Sequence, residues 1–96
     1  MPPDTVADPT YSIVKDREVI NFLQGRTGAQ QIAIQGVIDS LQFNPRPPGH
    51  EVDKTFGIEI IRIVIDGTSP KYSLNYIVKD ETQRVRVIAI MEKHFS

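Results

Sequence analysis

Asn44-Pro45-Arg46-Pro47-Pro48-Gly49 divides the chain into two parts that cannot share one kind of secondary structure. Three prolines in four residues remove backbone donors and fix the dihedrals, so a helix entering from the N-terminal side must stop here. Ahead of the break, Ile34, Val37, Ile38 and Leu41 recur at helical spacing and form one apolar stripe. Thr27 and Gln30 make a capping-box pattern that opens this helix. Ile32 and Phe43 are less clearly on the stripe. A shorter helical segment precedes it, with Asp16 as N-cap, Val19, Ile20 and Leu23 on one side, and Gly25-Arg26-Thr27-Gly28 as the break. Tyr11-Ser12-Ile13-Val14 reads as a short strand before both.

Behind the break the period changes from helical to alternating. Phe56 to Asp66 is rich in Ile and Val, and Lys71 to Lys79 and Gln83 to Met91 each alternate. Tyr72, Leu74, Tyr76 and Val78 share one parity, opposite Ser73, Asn75 and Ile77. Val85, Val87, Ala89 and Met91 share another, opposite Arg84, Arg86, Ile88 and Ile90. Asp66-Gly67-Thr68-Ser69-Pro70 and Asp80-Glu81-Thr82 carry turn chemistry short enough for hairpins. The expected fold class is α+β: a short N-terminal strand, then a helical hairpin packed on an antiparallel sheet with a C-terminal three-stranded meander. The helices cover one sheet face, and the other must be polar or used.

The chain has 96 residues, enough for one modest core, and we expect residues 1–9 to be a flexible leader and residues 10–96 a single domain. Pro2, Pro3 and Pro9 in the first nine residues motivate the leader. Eleven Lys and Arg against twelve Asp and Glu give no global positive field for nucleic acid or anionic lipid. With no cysteine, disulfides, thiolate metal sites and a cysteine nucleophile are excluded. No apolar run approaches the ~20 residues of a membrane span, and no signal-peptide pattern opens the chain, so the expectation is a cytoplasmic protein without membrane contact. His50-Glu51-Val52-Asp53 bunches potential ligands at a spacing that matches no zinc site, and no metal or other cofactor is expected.

The order of elements and several segments together resemble the RelE/ParE toxin superfamily of bacterial toxin–antitoxin systems. Ile34-Gln35-Gly36-Val37-Ile38-Asp39-Ser40-Leu41-Gln42-Phe43-Asn44-Pro45 is similar to the helix that ends in the family's Leu-x-x-Asn-Pro break. Ile61-Arg62-Ile63 resembles its first long strand, Tyr72-Ser73-Leu74-Asn75-Tyr76 its Tyr-Arg-hydrophobic-x-Tyr strand, and Val87-Ile88-Ala89-Ile90 its last core strand. Lys93-His94-Phe95 stands where many members end in His-Tyr or His-Arg. The resemblance implies a compact toxin fold, a role in growth control and a cognate antitoxin as partner. The target is then the ribosome and its mRNA, or DNA gyrase. Self-association into a homo-oligomer stays open.

RNA cleavage through the 2′-hydroxyl needs a base, an acid and a cation for the phosphorane. On the family pattern, Arg62 is the candidate phosphate-binding residue and His94 the candidate general acid. The departures are large. Ser73 replaces the family's strand arginine, Val64 a second arginine, and Phe95 the terminal tyrosine, whose hydroxyl is lost. We therefore expect a degraded catalytic site, with a non-catalytic protein-binding module on the same scaffold and a ribosome-dependent mRNA endonuclease as the two alternatives. Ser73, Asn75, Arg84 and Arg86 are the candidate nucleic-acid or partner-binding residues. Glu59 is a further candidate base, though it shares parity with Ile61 and Ile63. Each candidate also has a structural use: Arg62 as a snorkelling strand residue, Arg84 and Arg86 as solvated charges near Asp80 and Glu81, and Tyr72 and Tyr76 as core.

Overall fold

The computed structural model describes residues 10–66 and 71–92. The expected leader over residues 1–9 and the candidate His94 lie outside the described residues. In chain order the elements are β1 (Ser12–Lys15), α1 (Arg17–Gln24), α2 (Gly28–Ser40), β2 (Glu51–Thr55), β3 (Ile58–Ile65), β4 (Tyr72–Lys79) and β5 (Arg84–Glu92). The five strands form one sheet in the order β1-β5-β4-β3-β2. β2 to β5 run as an antiparallel meander, and β1 joins β5 in parallel, so the sheet is mixed. Fold class and helix placement follow the expectation from sequence, with one strand added and the N-terminal strand paired in parallel.

The helix ends show why these residues fold as they do. Thr27 and Gln30 form the capping box, each side chain bonded to the other's backbone amide at 3.2 and 3.3 Å, which satisfies two donors at the start of α2. Asp16 sits at the N-cap of α1 but makes no side-chain cap, because its carboxylate is taken by Arg86. Ile34, Ile38 and Leu41 bury completely, and Val37 packs at their margin. Ile32 and Phe43 point to solvent.

Beneath the helices lie Ile61, Ile63, Ile65, Tyr72, Leu74, Tyr76, Val85, Val87 and Ile90, joined by Val19 from α1. The core thus contains Tyr72 and Tyr76. Tyr76 hydroxyl donates to the Pro45 carbonyl at 2.6 Å, which ties the proline break to the sheet. Burial pushes that phenol up to about 12, so it remains a donor at any physiological pH. A second tie lies at the surface, where Asp80 accepts both terminal guanidinium nitrogens of Arg46 and the Tyr11 hydroxyl.

Two expectations require correction. The strand placed from Phe56 begins at Ile58, because Phe56 and Gly57 are the hairpin turn, with φ of 53° and 78°. Two successive residues at positive φ fit the twist of a tight hairpin. The preceding Glu51–Thr55 is therefore β2, an edge strand exposed along its whole length, and is not a loop. The second correction concerns β5. Its register steps from Asn75 opposite Ala89 to Tyr76 opposite Val87, leaving Ile88 as the extra residue of a bulge. The bulge reverses the alternation, so Val85, Val87 and Ile90 share the core while Met91 turns outward.

Candidate functional site

Alternation along the strands leaves one sheet face without a helix among the described residues, and the register gives its order. Val64, Ser73 and Met91 form one row across β3, β4 and β5. Glu51, Arg62, Asn75 and Ala89 form the next row, beginning on β2. Then come Asp53 beside Ile60, and Ile77 beside Arg86 and Val14. Lys79, Arg84 and Ser12 occupy the end nearest the β4–β5 turn.

Arg62 stands at the centre of the charged part. Its Nε donates to Asn75 Oδ1 at 3.1 Å, and its terminal nitrogens lie 3.8 Å from Glu51 and 4.0 Å from Asp53. The two carboxylates outnumber the guanidinium. An RNA phosphate reaching Arg62 meets two negative side chains within a few ångströms of the one cation, the reverse of what stabilises a phosphorane. Asn75 is 4% exposed, and its Nδ2 is shut off from solvent with no acceptor among the described residues. Ser73 is 6% exposed, so the residue at the family's strand-arginine position presents almost no side chain to a ligand.

The structure brings Arg62, Ser73 and Asn75 together and separates Arg86 from them. Arg86 is held by Asp16 through two bonds, Nε to Oδ1 at 2.8 Å and a terminal nitrogen to Oδ2 at 3.0 Å. These bonds hold the Asp16 carboxyl below its ordinary value, the hydrogen bonds from Arg86 contributing most. The pair joins β5 to the head of α1. Arg84 stays on the same face, exposed and without an ion pair among the described residues. Glu59 lies on the opposite face, 3.4 Å from Lys54, away from Arg62.

Glu51 and Asp53 join the site, although from sequence they count only as potential metal ligands and no strand is expected immediately before Phe56. The signal was present: Glu51, Asp53 and Thr55 alternate with Val52 and Lys54 immediately before a Phe-Gly turn. His50 points elsewhere, its Nδ1 2.8 Å from the Pro47 carbonyl. Among the described residues, no group of three His, Asp or Glu side chains is placed to hold a metal ion. A separate groove along α1 and α2, lined by Leu23, Gln31, Ile32, Gln35, Gly36 and Asp39, holds one ionisable side chain and offers no acid–base pair. Among the described residues no helix is long and apolar enough to cross a membrane.

No protein-family model matches the chain, and no curated protein matches its sequence. Solved structures do match. A chain of the archaeal RelE–RelB complex from Pyrococcus horikoshii OT3 superposes with a TM-score of 0.76 at 16% identity, covering 91% of this chain and 99% of that one. The intact E. coli RelBE toxin–antitoxin complex gives 0.72 at 16% identity, over 88% of this chain and 99% of that one. The isolated E. coli RelE toxin gives 0.68 at 19% identity, over 90% and 87%. The chain therefore has the RelE toxin fold, reached by a sequence that shares few residues with those proteins.

Proposed function

We propose that this chain is the toxin-type component of a toxin–antitoxin pair, is neutralised by an antitoxin, and acts through a protein target without cutting RNA. The fold it shares with RelE, a toxin solved in complex with the RelB antitoxin, supports the pairing. The placement of Arg62 carries the second half of the reading. Arg62, the phosphate-binding candidate on the family pattern, is bonded to Asn75 and flanked by Glu51 and Asp53, while Ser73 occupies the position of the family's strand arginine. A surface of this kind suits contacts with polypeptide better than with a polyanion.

Inducible expression in a bacterial host, with growth monitored and mRNA 5′ ends mapped, tests the proposal. Growth arrest without new breaks is the expected result, and Arg62→Ala and His94→Ala should leave the arrest intact. Breaks recurring at codon spacing, abolished by either substitution, would overturn it in favour of a ribosome-dependent endonuclease using Arg62 and His94. Absence of any growth effect would overturn the toxin role and leave a non-catalytic binding module.

A further inference from the structure

The open sheet face is divided by charge, and the division specifies what can lie on it. At the β2 side Glu51 and Asp53 outnumber Arg62. At the opposite corner Lys79 pairs across the ladder with Arg84. Of the carboxylates nearest to that corner, Asp80 is engaged by Arg46 and Asp16 by Arg86, which leaves Glu81 in the turn against two cations. Lys79 and Arg84 are exposed and make no ion pair among the described residues. Between the two ends lies an apolar floor of Ile60 and Ile77, with Ile58, 49% exposed, at its margin.

We propose that this face docks an amphipathic helix of a partner protein, carrying an acidic residue at the Lys79–Arg84 end and a basic residue at the Glu51–Asp53 end. The inference rests on the reading above, that the chain works through protein partners, and names the chemistry of one of them. Three strand spacings separate β5 from β2, so the charged ends stand roughly 15 Å apart. At about 1.5 Å per residue, that distance corresponds to about ten residues of helix. The apolar side of such a helix covers Ile60 and Ile77, and its ends meet opposite charges. A uniformly acidic segment suits one end and is repelled at the other; a uniformly basic segment fails in the opposite sense. The face therefore selects mixed charge and disfavours RNA.

Three synthetic eighteen-residue helical peptides test this, with one shared apolar face and end charges of Glu and Lys ten residues apart, Glu at both positions, or Lys at both. Titrated against the full chain by fluorescence anisotropy, the Glu/Lys peptide should bind roughly threefold to tenfold more tightly than either uniform peptide. Glu51→Lys with Asp53→Lys should transfer the preference to the Glu/Glu peptide, and Lys79→Glu with Arg84→Glu to the Lys/Lys peptide. All four positions are exposed, and a melting curve for each variant confirms folding. Tightest binding of the native chain by a uniform peptide or a single-stranded RNA would overturn the proposal. So would a preference unmoved by both reversals, or no binding by any peptide. Ile58→Asn separates this inference from its premise. Binding weakened by Ile58→Asn yet indifferent to charge reversal would retain the face as a protein-docking surface and remove only the charge pattern.

Discussion

The two faces of the sheet are made from the same strands, residue against neighbouring residue, and they are built to different rules. The covered face carries Ile61, Ile63, Ile65, Leu74, Val85 and Val87, nearly all fully buried, with Tyr72 and Tyr76 as large fillers. On the open face the intervening positions are Arg62, Val64, Ser73, Asn75 and Arg86. Stability is concentrated on the first face, where close packing makes each methylene count. The second is freer to vary, and it departs most from the chemistry expected of an RNA-cutting toxin. The contrast shows how one set of strands serves two ends: in β3 and β4 alternate residues build the core, and those between them set the character of the open face.

Neighbouring substitutions on β4 give the sharpest test. Leu74→Ala should cost about 2–5 kcal/mol in chemical denaturation, because it opens a cavity in the buried core. Ser73→Ala, one residue away, should change stability by less than about 1 kcal/mol. Equal losses at the two positions would break the division between faces. Tyr76→Phe comes next, at about 1–3 kcal/mol, since it leaves the Pro45 carbonyl without its hydroxyl donor while preserving the ring. The loss should appear as a shifted denaturation midpoint at unchanged slope.

Acid titration probes the surface ties outside both faces. The Asp16 and Asp80 carboxyls are each held below their ordinary value, mainly by hydrogen bonds from Arg86 and Arg46 respectively. A carboxyl with a depressed folded-state value favours the fold above its unfolded value, and that contribution is lost as pH falls through the folded one. Stability should therefore decline with acid below about pH 4, and Asp16→Asn with Asp80→Asn should flatten the decline. An unchanged slope would show that other carboxyls carry it. Arg62→Ala should have the smallest effect, within about 1 kcal/mol, because its ion pairs are half exposed. A larger loss would make Arg62 a structural residue of the open face.

What was legible in the sequence follows the same division. The α2 stripe, the Thr27–Gln30 box and the core parity of β3 and β4 could be read because local spacing alone determines them. The β5 bulge could not, because nothing in Arg84–Glu92 marks Ile88 as extra, and only pairing with β4 reveals it. The surroundings of Arg62 were hidden for a related reason. Glu51 and Asp53 reach it through the β2–β3 register, and with β2 unrecognised Arg62 looked like an unopposed cation. The tie from Arg86 to Asp16 was hidden because the two are 70 residues apart in sequence. Residues fixed by their immediate neighbours were foreseen, and residues fixed by strands from elsewhere were not.

The parallel pairing of β1 with β5 has a consequence in time as well as in space. Ser12 pairs with Arg84, and the bonds that close the junction, Tyr11 to Asp80 and Asp16 to Arg86, span 69 and 70 residues. Contacts so distant along the chain incur the cost of loop closure before they return any stabilisation. As the chain emerges from a ribosome, the helices and the β2–β3 hairpin can form early, but β1 has no strand to join until β5 is made. The β1 edge of the sheet is therefore closed last, after every other element of the fold has been made.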